Sequence, residues 1–537
     1  MSKRLQFLDP KSSQANGLGR RPFLLRAGLS LALAPWLISA SSLGAGRSAQ
    51  AGAWSGFEDL AARARELARR PYEAPEPLPV SLQGLGYDAY RSIRYRPDRA
   101  LWRDARPPFE AQFFHLGYLF TKPVRINVVS PRGVEPIAFS PDLFSYGEPG
   151  LAERSRGLPG FAGFRIHYPL NDPAISDELA VFLGASYFRV LGRATRYGAS
   201  ARAIAIDTGG PSREEFPDFR EFWLVEPAVG ASSLEIFALL EGPSVVGAYR
   251  FVLQPGDPTV LDIDARLFFR RSVDRLGLAP LNSMCFLTEG EQLGEGDYRP
   301  EVHDSDGLQV AFGTGEWLWR PLVNPRETRV TALGDVSPRG FGLLQRDRSF
   351  RSYEDLEARY ELRPSLWVEP RGNWGAGAVE LVEIPADRET VDNIVAFWAP
   401  DAPVTAGASL HYGYRLTSGL LASGGPAVAR VVQTRNGRAG VPDRPAPPGA
   451  RKFVVEFSGG GLPAASVEAA VIPVVNVSRG TLLEAHAEAL PGEGHWRAVF
   501  DVLPADRRPV ELRCFLRGAD GGALSETWSY LWQPLTS

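Results

Sequence analysis

The run Leu261-Asp262-Ile263-Asp264-Ala265-Arg266-Leu267-Phe268-Phe269 decides the fold. Leu261, Ile263, Ala265, Leu267 and Phe269 alternate with Asp262, Asp264, Arg266 and Phe268. A period of two places the first set on one face of a strand and the second on the other, as in a half-buried strand. Residues 234–240 and 248–253, just before it, are also short, apolar and strand-like, and Pro255-Gly256-Asp257 is a turn signal. From residue 78 to about 420 the pattern is strand after strand. Residues 352–360, opened by Ser352 and Asp355, form one of the few helical breaks. That many strands exceed a small barrel, so the expected class is all-β, a large two-layer β-sandwich over 52–420.

On the N-terminal side, Ser55-Gly56-Phe57-Glu58 reads as a capping box, and Phe57, Leu60, Ala61, Ala64 and Leu67 fall on one helical face. This helix is expected to lie as a lid on the sheet. Residues 1–51 read as an export signal. Arg20-Arg21 precedes an apolar run from Ala27 to about Ala45, and Ala49-Gln50-Ala51 offers a cleavage site. Paired arginines before an apolar run match the twin-arginine pattern and imply the periplasm; an ordinary secretory signal or an uncleaved anchor are the alternatives. No later stretch is long and apolar enough to span a bilayer. On the C-terminal side, composition shifts over 422–450, with Ser423-Gly424-Gly425-Pro426 and Pro445-Ala446-Pro447-Pro448-Gly449. A boundary near 420 is expected, followed over 421–537 by a linker and an immunoglobulin-like sandwich with strands at 452–457, 467–475, 496–503, 510–516 and 527–532.

Composition excludes several functions. The 537-residue chain carries a net charge of -3, no footprint for nucleic acid. Lysine occurs only as Lys3, Lys11, Lys122 and Lys452, so arginine carries the positive charge. Two cysteines, Cys285 and Cys514, allow one disulfide at most, and two buried thiols are the commoner outcome. No nucleophile elbow, phosphate-binding loop, zinc-protease helix or dinucleotide fingerprint occurs, and the six histidines are scattered. No metal and no cofactor is expected. Carboxylate acid/base work is what remains for an enzyme.

Residues 298–400 concentrate the parts such an enzyme needs. Carboxylates move protons, arginine holds hydroxyls, and indole faces cover the CH face of a sugar ring. Asp304 sits in His303-Asp304-Ser305-Asp306-Gly307, where a plain turn is the bland reading; Asp392 precedes the apolar run from Ile394, where a polar lead into a buried strand is the bland reading. Alternation puts Glu383 on one face with Val379 and Leu381, where arginine pairing is commoner than catalysis. Glu316 has the same ambiguity. Arg299, Arg320, Arg346 and Arg363 are candidate hydroxyl holders, and Trp317, Trp319, Trp367 and Trp374 candidate sugar platforms, although each alone is more often salt-bridge partner or core. Together they read as a carbohydrate site.

The chain resembles the periplasmic glucan biosynthesis proteins of the G and D type. The likeness is carried by Gly184-Ala185-Ser186-Tyr187-Phe188-Arg189-Val190, Tyr197-Gly198-Ala199-Ser200-Ala201-Arg202, Tyr298-Arg299-Pro300-Glu301, Leu362-Arg363-Pro364-Ser365, Asp392-Asn393-Ile394-Val395 and Ser525-Glu526-Thr527-Trp528-Ser529-Tyr530, among others. The paired arginines look like the D type. The resemblance implies a mutarotase-like sandwich before an immunoglobulin-like domain, and action on β-1,2-linked glucan as an inverting glycoside hydrolase. It puts the general acid on Asp392 and the general base on Asp304. Inversion needs carboxyls about 6.5–9.5 Å apart, or more with a relay, and unlike environments to split their pKa values. A non-catalytic glucan-binding scaffold and a branching or ring-closing transglycosylase are the alternatives. Beside β-1,2-glucan, contact with the inner-membrane glucan synthase and a homodimer stay open expectations.

Overall fold

In the computed structural model the deciding run lies within the strand Thr259–Phe269, paired on both sides with Val245–Gln254 and Ser409–Gly419. Its buried and half-buried residues alternate over the first nine positions, as the sequence pattern requires. The structure describes residue 54 and residues 56–103, 108–289, 297–421, 425–441, 443–463, 471–491 and 494–534. The export signal at 1–51 lies outside them, and no helix among the described residues is long and apolar enough to cross a membrane.

The architecture is an all-β sandwich. One layer is a fourteen-stranded sheet and the other a ten-stranded sheet. The ten-stranded sheet runs Glu110–Phe114, Gly163–Tyr168, Asp177–Leu183, Tyr187–Val190, Ser200–Arg202, Leu276–Ser283, Ile394–Pro400, Ala376–Glu383 and Arg329–Val336, with Ile204–Ile206 also on Leu276–Ser283. The main core fills the space between the layers. Phe164 and Phe182 stack at 5.0 Å on one sheet, and Phe222 and Phe251 of the other meet Phe182 edge-on at 5.5 and 5.2 Å. Edge-on contact between layers and offset stacking within one suit the aromatic quadrupole.

The helix is Phe57–Ala68, with Leu60, Ala61 and Ala64 buried against the sheet. The expected capping box is corrected. Ser55 lies outside the described residues, Gly56 is the N-cap without a side-chain bond, and Glu58 is spent on Arg266 at 2.5 and 2.6 Å. Residues 352–360 form no continuous helix; Phe350–Ser352 and Tyr360–Leu362 are single 3₁₀ turns. Cys285 and Cys514 are both buried and form no disulfide.

Apart from the two-residue pair Gly440–Val441 and Arg444–Pro445, the described strands beyond residue 425 divide between two sheets. Arg430–Arg438, Arg451–Ser458, His495–Leu503 and Thr481–Ala489 form a four-stranded sheet. Thr527–Trp532, Val510–Arg517 and Ile472–Val477 instead extend the fourteen-stranded sheet, through parallel pairing of Leu318 and Trp319 with Thr527 and Trp528. A second core, with Trp319, Trp367, Phe453, Phe500 and Trp528, joins the two. Residues 467–470 of the expected strand at 467–475 lie outside the described residues; the observed strand begins at Ile472.

Candidate functional site

Asp304 and Asp392 are brought together by their neighbours. The Asn393 side chain accepts from the Cys285 amide at 2.8 Å and donates to the carbonyls of Cys285 and Ile384 at 2.9 Å. Cys285 pairs with His303 across a short ladder, and the Asp304 amide donates to the Met284 carbonyl at 2.8 Å. One buried segment is thus held by the residue after Asp392 and by the residue before Asp304.

Their environments differ. Asp392 is exposed, and Arg189 approaches it at 3.9 Å. Asp304 is buried, with the Arg363 guanidinium 3.5 Å from its Oδ1. That separation is too long for a good hydrogen bond, and neither Asp304 Oδ1 nor Arg363 Nε has another partner. Burial raises the Asp304 carboxyl above its ordinary range; Arg363 opposes the rise and the charge of Asp392 adds to it. Arg189 acts on both carboxylates.

Arg189 ties the pair to the outer face of the ten-stranded sheet. Register puts Arg165, Val181 and Arg189 on that face, then Tyr187 and Arg202, then Ser200, Asn282 and Val395. The intervening Phe188, Val190, Ala201, Leu281 and Ala396 face the core. Arg165 bonds Gln112 and Glu178, each at 2.8 Å, and Arg202 bonds Glu214 at 2.7 Å beneath the rings of Tyr187 and Phe216. Ser200 Oγ, Asn282 Oδ1 and Arg202 Nε are buried without hydrogen-bond partners. A face of donors, acceptors and aromatic rings with unfilled hydrogen-bonding capacity is chemically suited to polyhydroxylated ligands. Alternation made these residues indistinguishable from a solvated strand face; Tyr187, Arg189, Ser200 and Arg202 lie in motifs that carry the resemblance, and Asn282 gave no signal.

The other expected site residues go elsewhere. Arg299 makes its bonds away from Asp304 and Asp392. It ties Asp297 (2.7 Å), Asp355 (2.9 Å) and Glu389 (2.6 Å), three loop residues beside the site. Glu389 also accepts from Tyr360 at 3.0 Å, and the Arg363 guanidinium covers the Tyr360 ring at 5.2 Å. Glu383 does share a face with Val379 and Leu381, and that face is the interior, where it accepts from the Val323 amide at 3.0 Å. Trp374 packs against Trp398, Tyr412 and Tyr414 and donates to the Gly413 carbonyl at 3.2 Å.

Six more expected ligand holders lie at the seam with the C-terminal strands. Trp317 stacks on Trp367 at 5.7 Å, and Arg346 lies 3.6 Å over Trp319 while bonding Glu526 at 2.6 Å. Arg320 bonds Glu511 and Ser529, each at 2.7 Å, and Glu316 bonds Arg513 and Thr527. For the two tryptophans of the strand Trp317–Pro321 the cause is alternation: Leu318 faces the main core, so Trp317 and Trp319 face the opposite way, where the four-stranded sheet covers them.

A cleft of ≈ 600 Å³, partly open to solvent, runs along this seam, lined by Glu289, Glu301, His303, Asp306, Trp319 and Arg346 among others; neither Asp304 nor Asp392 lines it. Ligand atoms of Glu301, His303 and Asp306 lie within 4.8 Å of one another, close enough for a metal ion. His303 answers that charge itself. Burial alone would expel its proton, but the 2.8 Å bond to Glu301 and the charge of Asp306 outweigh burial and raise its pKa to about 9. Its Nδ1 lies 3.0 Å from Gln345 Oε1.

Comparison with known proteins gives the family. The family described as "Periplasmic glucan biosynthesis protein, MdoG" matches residues 56–532. The chain is 47% identical to "Glucans biosynthesis protein G" of Ralstonia nicotianae over 91% of this chain and 98% of that protein. It is 47% identical to "Glucans biosynthesis protein D 1" of the same organism over 94% and 96% of the two chains. It is 43% identical to "Glucans biosynthesis protein D" of Xanthomonas oryzae pv. oryzae over 96% and 98%. These matches span nearly the whole chain, and by them it belongs to the periplasmic glucan biosynthesis protein family.

Proposed function

We propose that the chain works in periplasmic glucan biosynthesis by cleaving a β-1,2-linked glucan backbone with inversion, after export by the twin-arginine route. Asp392, protonated, delivers a proton to the glycosidic oxygen. Asp304, ionised, draws a proton from the attacking water, directly or through an intervening hydroxyl. The observation that carries this reading is the contrast within the pair: one exposed carboxylate, one buried with an unpartnered oxygen, both under Arg189.

In the free chain burial raises the Asp304 carboxyl, which opposes its role as a base; Arg363, and a water or hydroxyl donating to Oδ1, favour the anion.

The test is to incubate the purified chain with linear β-1,2-glucan and follow new reducing ends and anomeric configuration. Reducing ends of inverted configuration are expected. Chemical rescue then assigns the roles. A glucoside with a good leaving group should restore Asp392→Asn, which needs no acid. Azide in place of water should restore Asp304→Asn, which needs no base. The opposite pattern would exchange the two roles. Binding of glucan without reducing ends would leave a carrier, and rearranged glucan without reducing ends a transglycosylase.

A further inference from the structure

The strands Asp218–Val225 and Leu234–Glu241 run antiparallel, with Phe219 opposite Leu240 and Glu221 opposite Leu239. Arg220 is therefore the extra residue of a β-bulge. A bulge breaks the alternation of a strand and re-aims a side chain. The neighbours of Arg220 are fully placed. Phe219 and Phe222 lie in the main core, and Glu221 accepts from Arg63, Arg125 and Asn127 at 2.7, 2.9 and 3.0 Å. Arg220 instead lines a cavity of ≈ 580 Å³, partly open to solvent, between the turn at Gly184-Ala185 and the segment 119–124. That size lies in the range of small-ligand pockets.

Charge in this cavity is out of balance. Asp218 is the one carboxylate among its lining residues, and it is spent on Lys122 at 2.6 Å. Arg220 has no ion pair and no side-chain hydrogen bond among the described residues, and its Nη1 is shut off from water. A desolvated cation without a counter-charge is costly, and an anion in the cavity would remove that cost. The Lys122 side chain stays 52% exposed, and its ammonium keeps donors beyond the one given to Asp218. Two cations against one neutralised carboxylate make a positive hollow. Its other walls include the apolar Leu119, Phe120, Val124 and Phe219. Leu119 is 73% exposed and so belongs to the rim.

We propose that this cavity binds an oxyanion, a phosphate or carboxylate group held by Arg220 and Lys122, with room along Leu119 and Phe120 for the molecule that carries it. Ala185 stands two residues before Tyr187 of the outer face, at most about 7 Å of chain. The oxyanion can therefore arrive free or as a substituent on a sugar lying along that face. The proposed cleavage plays no part in this binding.

The test is isothermal titration calorimetry of the chain without its leader, at low ionic strength, with inorganic phosphate, glucose 6-phosphate, glucuronate and glucose as probes. Saturable one-to-one binding of the anions is expected, and none of glucose. Phosphate binding as tightly as the sugar anions assigns the site to free oxyanions; a clear preference for glucose 6-phosphate or glucuronate assigns it to an oxyanion carried on a sugar. Arg220→Gln should weaken binding at least about tenfold. Its thermal midpoint without ligand should match wild type, because Arg220 has no protein partner to lose. Leu119→Glu changes only the exposed rim and should also weaken binding, by placing a carboxylate at the mouth. No binding of any of the three anions, equal binding of glucose, or unchanged affinity in folded Arg220→Gln and Leu119→Glu would each overturn the proposal.

Discussion

Two regions of this molecule are built from the same residue types and behave as opposites. At the seam under the C-terminal strands, arginine, glutamate and tryptophan are matched: Arg346 with Glu526, Arg320 with Glu511, Glu316 with Arg513, and Trp317 on Trp367. On the outer face of the ten-stranded sheet, Asp304 Oδ1, Arg363 Nε, Ser200 Oγ, Asn282 Oδ1 and Arg202 Nε are buried and unmatched. Leaving a buried polar group unpaired costs about 1–3 kcal/mol. The seam has avoided that cost and the outer face has accepted it repeatedly. Residue type therefore does not separate architecture from site here, whereas unfilled hydrogen-bonding capacity does.

The comparison breaks most sharply on activity. Asp392→Asn and Asp304→Asn should each lower reducing-end release from β-1,2-glucan by roughly 10²–10⁴-fold, the range for loss of a general acid or base. Their thermal midpoints should stay at or above wild type, since Asp304→Asn removes a charge that burial disfavours. A large loss of stability with activity intact would make the outer face architecture like the seam.

The seam should respond the other way. Arg346→Ala leaves Glu526, whose side chain is fully buried, as an uncompensated charge. A loss of about 3–5 kcal/mol in urea unfolding is expected, with normal cleavage by the folded fraction. Activity falling ahead of stability would move Arg346 back to the site, where sequence reasoning put it.

His303 gives a somewhat smaller effect that depends on pH. Its pKa is near 6.5 unfolded and about 9 folded. A raised folded value means that its stabilisation is complete below about 6.5 and is lost as pH rises through 9, on the order of 3 kcal/mol. Glu289, raised to about 7 by burial and by the charge of Glu301, acts in the same direction at lower pH. Urea midpoints should fall from pH 6.5 to above 9, and His303→Gln should flatten the upper part of that fall. An unchanged slope in the variant would remove His303 as its source.

The legible and illegible parts of this chain follow the same division. Period-two alternation over residues 261–269 reports burial on one face, and burial on one face means a sandwich layer. It does not say what covers the other face. Trp317 and Trp319 could have faced sugar, water or another sheet; the four-stranded sheet some 110 residues or more downstream decides it. Glu383 was readable as lying on the face of Val379 and Leu381, but not as a cap on the Val323 amide. Asp304 and Asp392 were marked by the motifs around them. What brings them together, Asn393 clamping Cys285, is a contact between distant segments that no local pattern announces.

The smallest expected effect tests whether matching matters only where water is excluded. Glu58 and Arg266 form a two-bond pair as well matched as any at the seam, yet Glu58 stands in solvent. In water the attraction is screened, and the side chains lose conformational freedom to hold it. Glu58→Ala should therefore leave the urea midpoint indistinguishable from wild type in moderate salt, although Glu58 also belongs to the first turn of its helix. A clear loss that salt abolishes would show this exposed pair fastening Phe57–Ala68 to the sheet, and matching alone would then count as a stability term. A clear loss insensitive to salt would point instead to helix packing, with the Glu58 stem covering Phe57 or its neighbours. Only the unchanged midpoint keeps burial as the variable that makes the seam strong and the outer face reactive.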